Sequence, residues 1–307
     1  MEEQPKLLNY NESPESERKN FVVEEISHLS EIDSLSTQEQ ELRNYLEDRG
    51  KKFSLETKID EKGNLWFLSD KPEGDILFCA HMDKVGPGIK LEKQEDEIIG
   101  RLDDTIGLGI ILSVLQEGHR PSVLFTVEEE SQTEVRQDDG TIVMKSRDLK
   151  GNIYNAGARF ATDQMFDDVP LKPKLIVTID VSASGKSGAG PFLYLSYKTG
   201  DGHYFRNPDQ VTKNLKSILH QSGERIRYLD GGLTDGVEFT WLARVGVGLA
   251  GVGIPIENIH SNKEVANIND ITDAVKALEA IIVNRNQLIA EVDVPLHTNR
   301  PGPKIDV

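Results

Sequence analysis

Four short runs of apolar residues constrain the fold more than any other feature of the chain. They occupy residues 76–80, 123–127, 175–179 and the glycine-spaced stretch 245–252. Each is about as long as a strand and apolar on both faces, which is typical of strands in the middle of an α/β sheet. Segments with helical spacing, such as 106–116, alternate with them. The pattern predicts a three-layer α/β/α sandwich around a central, mixed and mostly parallel sheet.

Local patterns add further elements. Apolar spacing predicts a helix over residues 21–32, and residues 53–59 and 65–68 are typical of a hairpin around a DEKGN turn. Ser36 and Glu39 have the spacing of a capping box, which predicts a second helix ending near residue 49. Asp270 is the expected cap of a strongly periodic helix near the end of the chain.

The domain organisation follows from changes in composition along the sequence. Residues 1–20 are a polar leader, residues 21–292 are predicted to form a single domain, and residues 293–307 are a tail. Within the domain, the polar and weakly patterned stretch 131–155 is predicted to be a surface hairpin or loop insertion.

Charge and cysteine content exclude several classes of function. Among 307 residues the formal net charge is −17, which disfavours nucleic acid and anionic membranes as partners because phosphate binding needs clustered lysine and arginine. The single cysteine, Cys79, cannot form an internal disulfide. The first twenty residues lack an apolar h-region, and the longest apolar runs are about half of a membrane span. We therefore expect a cytoplasmic protein.

Acidic and imidazole side chains stand where these strands and helices begin or end. Loops beyond the carboxyl ends of strands in an open α/β sheet converge on one crevice, so side chains distant in sequence can meet there. The candidates are His81 and Asp83 after the first buried run, the pair 103–104 before the glycine-containing helix, the acids 128–130 after the second run, Asp180 at the end of the third, and His260 after the fourth.

Several carboxylates in one crevice would repel each other unless cations compensated their charge. Carboxylate and imidazole ligands suit zinc, with cobalt and manganese also open, and there is no cysteine at the candidate positions. A pair of divalent ions would hold a water, lower its pKa and polarise an amide carbonyl, and a spare carboxylate would move the proton. The pattern predicts a dinuclear centre for amide hydrolysis.

Six motifs carry a resemblance to a known family: AHMDKVG at 80–86, LDDTIG at 102–107, FTVEEES at 125–131, IDVS at 179–182, GGLTDG at 231–236 and GIPIENIHS at 253–261. Together they resemble the zinc exopeptidase superfamily of co-catalytic metalloaminopeptidases. The similarity is greatest to the deblocking (glutamyl) aminopeptidase branch, with kinship to tripeptidase T. The elements occur in family order over most of the chain, which makes the signal specific.

The resemblance implies a role for each matched residue. Asp83 would orient a histidine ligand from outside the metal shell, and Glu129 would be the general base. The implied ligands are His81 and Asp180 for one ion, Glu130 and His260 for the other, and Asp103 as a bridge. The implied substrate is a short peptide, and a homo-oligomer is compatible with the family, although its large cage assemblies are not assumed.

Spacing bears on the architecture within that family. His81 and Asp103 are 22 residues apart, which leaves no room for the inserted β-barrel of the deblocking branch. Asp180 and His260 are 80 residues apart, and strand-like 192–197 and helix-like 208–221 already fill that stretch. We therefore expect neither a barrel nor a separate lid domain.

Two alternatives to the aminopeptidase remain. An N-acyl amino-acid deacylase or carboxypeptidase-type amidohydrolase would use the same metals, and Lys84 and Arg101 would favour such a carboxylate-bearing substrate. A catalytically inactive metal-binding protein is the second alternative, although it would have no need of a spare base. Asp235 lies in a stretch that matches either a family motif or an ordinary Asp-Gly turn.

Overall fold

A computed structural model describes residues 15–130, 132–136, 142–146, 155–166, 173–198, 204–206, 209–221, 225–232, 235–243 and 246–289. Its helices are α1 (Glu15–Glu31), α2 (Gln40–Lys52), α3 (Thr105–Gln116), α4 (Ala156–Phe166), α5 (Asp209–Gln221), α6 (Gly236–Ala243), α7 (Ile268–Val283) and α8 (Arg285–Ile289), with a 3-10 turn at Pro72–Asp75. Its strands are β1 (Glu56–Ile59), β2 (Leu65–Leu68), β3 (Ile76–His81), β4 (Glu92–Gln94), β5 (Glu97–Gly100), β6 (Ser122–Thr126), β7 (Gln132–Arg136), β8 (Ile142–Ser146), β9 (Leu175–Ser182), β10 (Phe192–Lys198), β11 (Tyr204–Arg206), β12 (Arg227–Gly232), β13 (Gly248–Glu257) and β14 (Glu264–Asn267).

The described strands form one large mixed sheet and a separate hairpin. Along the main path of the sheet the order is β1-β2-β6-β3-β9-β13-β14-β5-β4, and β10 pairs with β13 and carries β11 and β12. The four central strands β6, β3, β9 and β13 are parallel, whereas β1, β2, β14, β5 and β4 pair antiparallel at the two sides. The runs 76–80 and 175–179 lie within β3 and β9, and most of the other two lie within β6 and β13, so the predicted mixed α/β sheet is confirmed.

Helices cover both faces of this sheet because the central strands are apolar on both. In β3, Ile76 and Phe78 join a core cluster with α1, α3 and α7. Their neighbours Leu77 and Cys79 face the other way, into a second cluster with α4 and α6. This alternation follows from the two-residue repeat of a strand and gives the predicted three layers.

Two predicted helix caps are wrong. Glu39 precedes α2 without a side-chain cap, and the Ser36 hydroxyl donates instead to the Asp83 carboxylate, 2.5 Å away. Asn267 caps α7 by accepting from the Asn269 amide, whereas Asp270 accepts the backbone N–H groups of Gly188 and Gly190. In each case a buried long-range partner replaces the local one that the spacing suggested, as tertiary contacts do when a polar side chain is buried.

The remaining segment predictions have mixed outcomes. α1 begins at Glu15, inside the stretch predicted as a polar leader, while residues 1–14 and 290–307 lie outside the described part of the chain. The stretch 131–155 contains the antiparallel pair of β7 and β8, in agreement with a hairpin, and its other residues except Asn155 are outside that part as well. No helix among the described residues has the length and apolar content needed to cross a bilayer.

Candidate metal centre

The candidate residues meet at the carboxyl ends of the parallel strands. His81 ends β3 beside Thr126, the last residue of β6, and Asp180 lies near the end of β9. Asp103 lies in the loop between β5 and α3, and His260 lies in the turn between β13 and β14. Because parallel strands end at the same edge of a sheet, their loops share one crevice, as the sequence predicts.

One half of the crevice is built around His81. Its Nε2 lies 3.2 Å from Asp103 Oδ1 and 3.7 Å from Asp180 Oδ1. Its Nδ1 lies 2.9 Å from the backbone oxygen of Asp83 and 3.6 Å from the Asp83 carboxylate. A carbonyl oxygen only accepts, so Nδ1 donates the hydrogen bond to Asp83, and Nε2 is the ring nitrogen that faces the carboxylates. Nε2 donates to them when the ring is protonated, and its lone pair would become available to a metal once that proton leaves.

The other half is built around His260. Its Nε2 lies 3.3 Å from Asp103 Oδ2 and 3.3 Å from Glu130 Oε1. The side chain of His260 is 45% exposed, against 3% for His81, so this half faces the mouth of the crevice. Asp103 therefore presents one carboxylate oxygen to each histidine, the arrangement that a bridging carboxylate needs.

The segment that carries Glu129 and Glu130 is fixed through its backbone. The Asp83 carboxylate is fully buried, and it accepts the Glu129 amide at 2.8 Å and the Glu130 amide at 3.0 Å. The Glu39 carboxylate accepts the amide of Glu128, the preceding residue, at 3.2 Å. Three consecutive N–H groups thus bind two buried carboxylates, which leaves the Glu129 and Glu130 side chains free to point into the crevice.

Asp104, the neighbour of Asp103, combines a structural contact with an unsatisfied atom. Its Oδ1 accepts the Gly107 amide at 2.9 Å and caps α3. Its Oδ2 is buried without a hydrogen-bond partner among the described residues. Asp104, His81 and Asp180 each offer a donor atom within 4.8 Å of the others. A buried, unpartnered carboxylate oxygen beside two other donors fits a cation.

Crowding shifts the proton affinities of these groups. Burial raises the pKa of Glu129 well above its ordinary value and that of Glu130 to about 8. Hydrogen bonds to Asp103 and Glu130 raise the pKa of His260 to about 10. Burial lowers the pKa of His81, but the hydrogen bonds to its carboxylate partners have the larger effect and raise this pKa well above its usual value. Protons thus compensate the negative charge of the cluster.

Divalent cations fit the same positions. The donors form two sets that share a region of the crevice: Asp103, Glu130 and His260 lie within 4.8 Å of one another, as do His81, Asp104 and Asp180. Both sets are oxygen and imidazole donors, which suit zinc and neighbouring divalent metals. Glu129 also groups with His81 and Glu130 at this distance. The seven side chains to which the resemblance assigns a role all lie in or directly behind this crevice.

Some buried groups around the crevice are not assigned to it by the sequence. The sequence interprets Ser36 and Glu39 as a helix cap, and Asp235 as part of either a motif or a turn. The Asp235 carboxylate accepts from the Thr126 hydroxyl and has a second oxygen, Oδ1, without a partner among the described residues. Burial raises its pKa to about 7. The signal in the sequence for Asp235 is its place in the GGLTDG motif.

Lys84 and Arg101 do not present free cations to the crevice. The Lys84 ammonium is fully buried and donates to the carbonyl oxygens of Leu29 at 2.7 Å and Ile32 at 2.5 Å, at the end of α1. Arg101 is 5% exposed and donates to the Ser261 carbonyl at 2.8 Å. The suggestion that they favour a carboxylate-bearing substrate is not supported by these contacts.

Fold and crevice together define an α/β sandwich with a carboxylate–imidazole cluster at the carboxyl ends of its parallel strands. No family model matches the chain, and no curated protein matches its sequence. Solved structures with the same fold do match. An aminopeptidase from the archaeon Desulfurococcus kamchatkensis superimposes with a TM-score of 0.70 at 16% identity, covering 90% of this chain and 98% of the other.

Two further structures extend this similarity. A TET aminopeptidase from the marine sediment archaeon Thaumarchaeota archaeon SCGC AB-539-E09 has a TM-score of 0.68 at 14% identity, covering 89% and 99% of the two chains. Aminopeptidase PepT from Bacillus cereus has a TM-score of 0.63 at 15% identity, again covering 89% and 99%. The chain therefore has the fold of these aminopeptidases, the fold that the zinc exopeptidase resemblance implies.

Proposed function

We propose that this protein is a metal-dependent exopeptidase, an aminopeptidase that hydrolyses short peptides with two divalent metal ions. The observation that carries the proposal is the position of Asp103, one oxygen of which lies beside His81 and the other beside His260. Two cations bound there, most simply zinc, would polarise a substrate carbonyl, acidify a water and favour the ionised form of the surrounding carboxyls.

We assign each residue the role that the sequence resemblance implies, and its place in the crevice supports that role. His81 and Asp180 would hold one ion, Glu130 and His260 the other, and Asp103 both. Glu129 would accept the proton of the attacking water as the carbon–oxygen bond forms, and would deliver it to the leaving amine as the carbon–nitrogen bond breaks. Asp83 would fix Glu129 and Glu130 through their amides while its main chain orients His81.

The finer assignment rests on the sequence resemblance. We place the protein near the deblocking aminopeptidase branch, as a cytoplasmic enzyme with one catalytic domain over residues 21–292. Assembly into a homo-oligomer is part of the proposal, and a structurally similar protein supplies a precedent: the TET1 peptidase from Pyrococcus horikoshii is described as assembling into a tetrahedron or a large octahedral shell.

The decisive experiment compares two adjacent glutamates. Glu129→Gln should lower the hydrolysis of aminoacyl arylamides by about 100-fold or more, the usual loss when a general base is removed, without changing the metal content. Glu128→Gln is the matched control, because the Glu128 carboxylate pairs with Lys62 at 2.7 Å rather than facing the donor sets. It should keep activity within a few-fold of wild type.

A second arm separates the alternatives. Wild-type protein loaded with zinc, cobalt or manganese is offered a free dipeptide and the same dipeptide with an acetylated amine. Hydrolysis of the free form alone supports the aminopeptidase, and hydrolysis of the acetylated form alone supports the deacylase. Two bound metals without turnover of any peptide would contradict the proposal and favour a metal-binding protein.

A further inference from the structure

Glu264 joins the two loops that carry Asp103 and His260, and no motif assigned it to the crevice. Its side chain is fully buried on β14. Oε2 accepts the backbone N–H of Leu102 at 2.5 Å and that of Asp103 at 3.1 Å. Oε1 accepts the backbone N–H of His260 at 2.7 Å. One carboxylate therefore satisfies three amides from two segments that lie far apart in sequence.

The sheet fixes where this carboxylate stands. β14 pairs antiparallel with β5, and Glu264 lies directly opposite Gly100 in that register. Leu102 and Asp103 follow two and three residues after Gly100, and His260 precedes Glu264 by four residues. The distance between the Asp103 and His260 loops is thus set by one side chain on a rigid strand pair, rather than by either loop itself.

An ionised carboxylate is the group that this position requires. Three N–H donors converge on two oxygens, and both oxygens of a carboxylate accept. A glutamine of the same shape would turn its NH2 group toward one set of donors, so at least one buried amide would lose its acceptor. The hydrogen bond to the His260 amide matters in particular, because the backbone of this residue has a positive φ of 62°, a conformation that residues other than glycine rarely adopt.

We propose that Glu264 is a positioning residue that sets the separation of Asp103 and His260, and with it the affinity of the metal site that these residues share with Glu130. The proposal rests on the proposed function, since it assumes that this site binds a divalent ion. Glu264 itself accepts backbone amides, so its removal should weaken chiefly the ion that depends on both Asp103 and His260. The ion at His81 and Asp180 should lose less affinity, because it shares only Asp103 with this arrangement.

The test measures zinc binding to the full-length protein by competition with a chelating dye. Wild type should bind two ions, and Glu264→Gln should bind one of them about 10- to 100-fold more weakly, the usual effect of removing a group that orients a ligand. Asp270→Asn is the control: Asp270 is equally buried and also accepts two backbone amides, those of Gly188 and Gly190. It should leave both zinc affinities unchanged.

A second measurement on wild-type protein does not depend on the variant folding. In the metal-free protein, hydrogen exchange at the amides of Leu102, Asp103 and His260 should already be slow, because Glu264 accepts all three. Exchange there at the rate of exposed loops would overturn the proposal, as would unchanged zinc affinities in Glu264→Gln or an equal loss in Asp270→Asn. Wild-type protein that binds fewer than two zinc ions would contradict the proposed function instead.

Discussion

Replacing Lys84 by methionine tests how the buried lysine between α1 and the crevice changes the free energy of unfolding with pH. Lys84 lies three residues after His81, and its buried ammonium donates to the Leu29 and Ile32 carbonyl oxygens at the end of α1. Burial lowers its pKa from 10.5 to about 7. The folded state therefore holds the lysine proton much less tightly than the unfolded state does.

This difference gives a stability change of known sign. Between pH 10.5 and pH 7 the unfolded chain binds a proton that the folded chain does not, so Lys84 destabilises the folded protein increasingly as the pH falls, and the penalty is constant below pH 7. Over the whole interval the penalty amounts to about 5 kcal/mol. Methionine keeps most of the volume and does not titrate, but it gives up two hydrogen bonds, each worth about 0.5–1.5 kcal/mol for the neutral amine that predominates above pH 7.

The assay is urea unfolding of wild type and Lys84→Met at several pH values from 7 to 10. The free energy of unfolding of the variant, relative to wild type, should rise by about 1.4 kcal/mol for each pH unit by which the pH is lowered. Lys71→Met is the control, because the Lys71 side chain is 60% exposed. A difference between wild type and Lys84→Met that stays flat over this range would refute the argument.

Three further predictions concern the crevice and the core. Asp83→Asn should lower kcat for peptide hydrolysis by about 10- to 100-fold with a smaller change in KM. Asparagine keeps only one of the two side-chain oxygens that accept the backbone amides behind the general base. Steady-state kinetics test this, and an unchanged kcat would contradict it. Zinc binding at pH 7 should release protons, because His260 and Glu130 have pKa values of about 10 and about 8 and must lose their protons to bind a metal. Calorimetry in buffers of different ionisation enthalpy measures the number of protons released. Binding without proton release would contradict these pKa values. Cys79 is fully buried, so its thiol should react with a thiol reagent only after the protein is unfolded in denaturant. Rapid reaction of Cys79 in buffer alone would argue against its position in the core.

The parts of the fold that sequence predicted well are those with one dominant physical signal. Strands β3, β6 and β9 appear as continuous apolar runs because both of their faces are buried, and their short length favours a strand over a buried helix. The crevice followed from the same runs, since His81 and Asp180 lie near the ends of the strands they extend. The antiparallel sides of the sheet were less visible, because short and partly exposed strands such as β4 carry little periodicity.

The polar contacts behind the crevice could not be predicted for the opposite reason. Ser36 and Glu39 have the spacing of a capping box, and nothing local indicates that Ser36 instead donates to Asp83, 47 residues away. Lysine is usually found at the surface, yet the Lys84 ammonium is buried and donates to two carbonyl oxygens. In each case the partner is a backbone or carboxyl group supplied by the tertiary fold, and its position is not encoded in the surrounding few residues.

The most direct test of the account is anomalous scattering at the zinc edge from crystals of the full chain soaked in zinc. We expect two peaks in the crevice, one beside His81 and Asp180 and the other beside Glu130 and His260, with the Asp103 carboxylate between them. Crystals that show no such pair, or zinc bound away from Asp103, would contradict it.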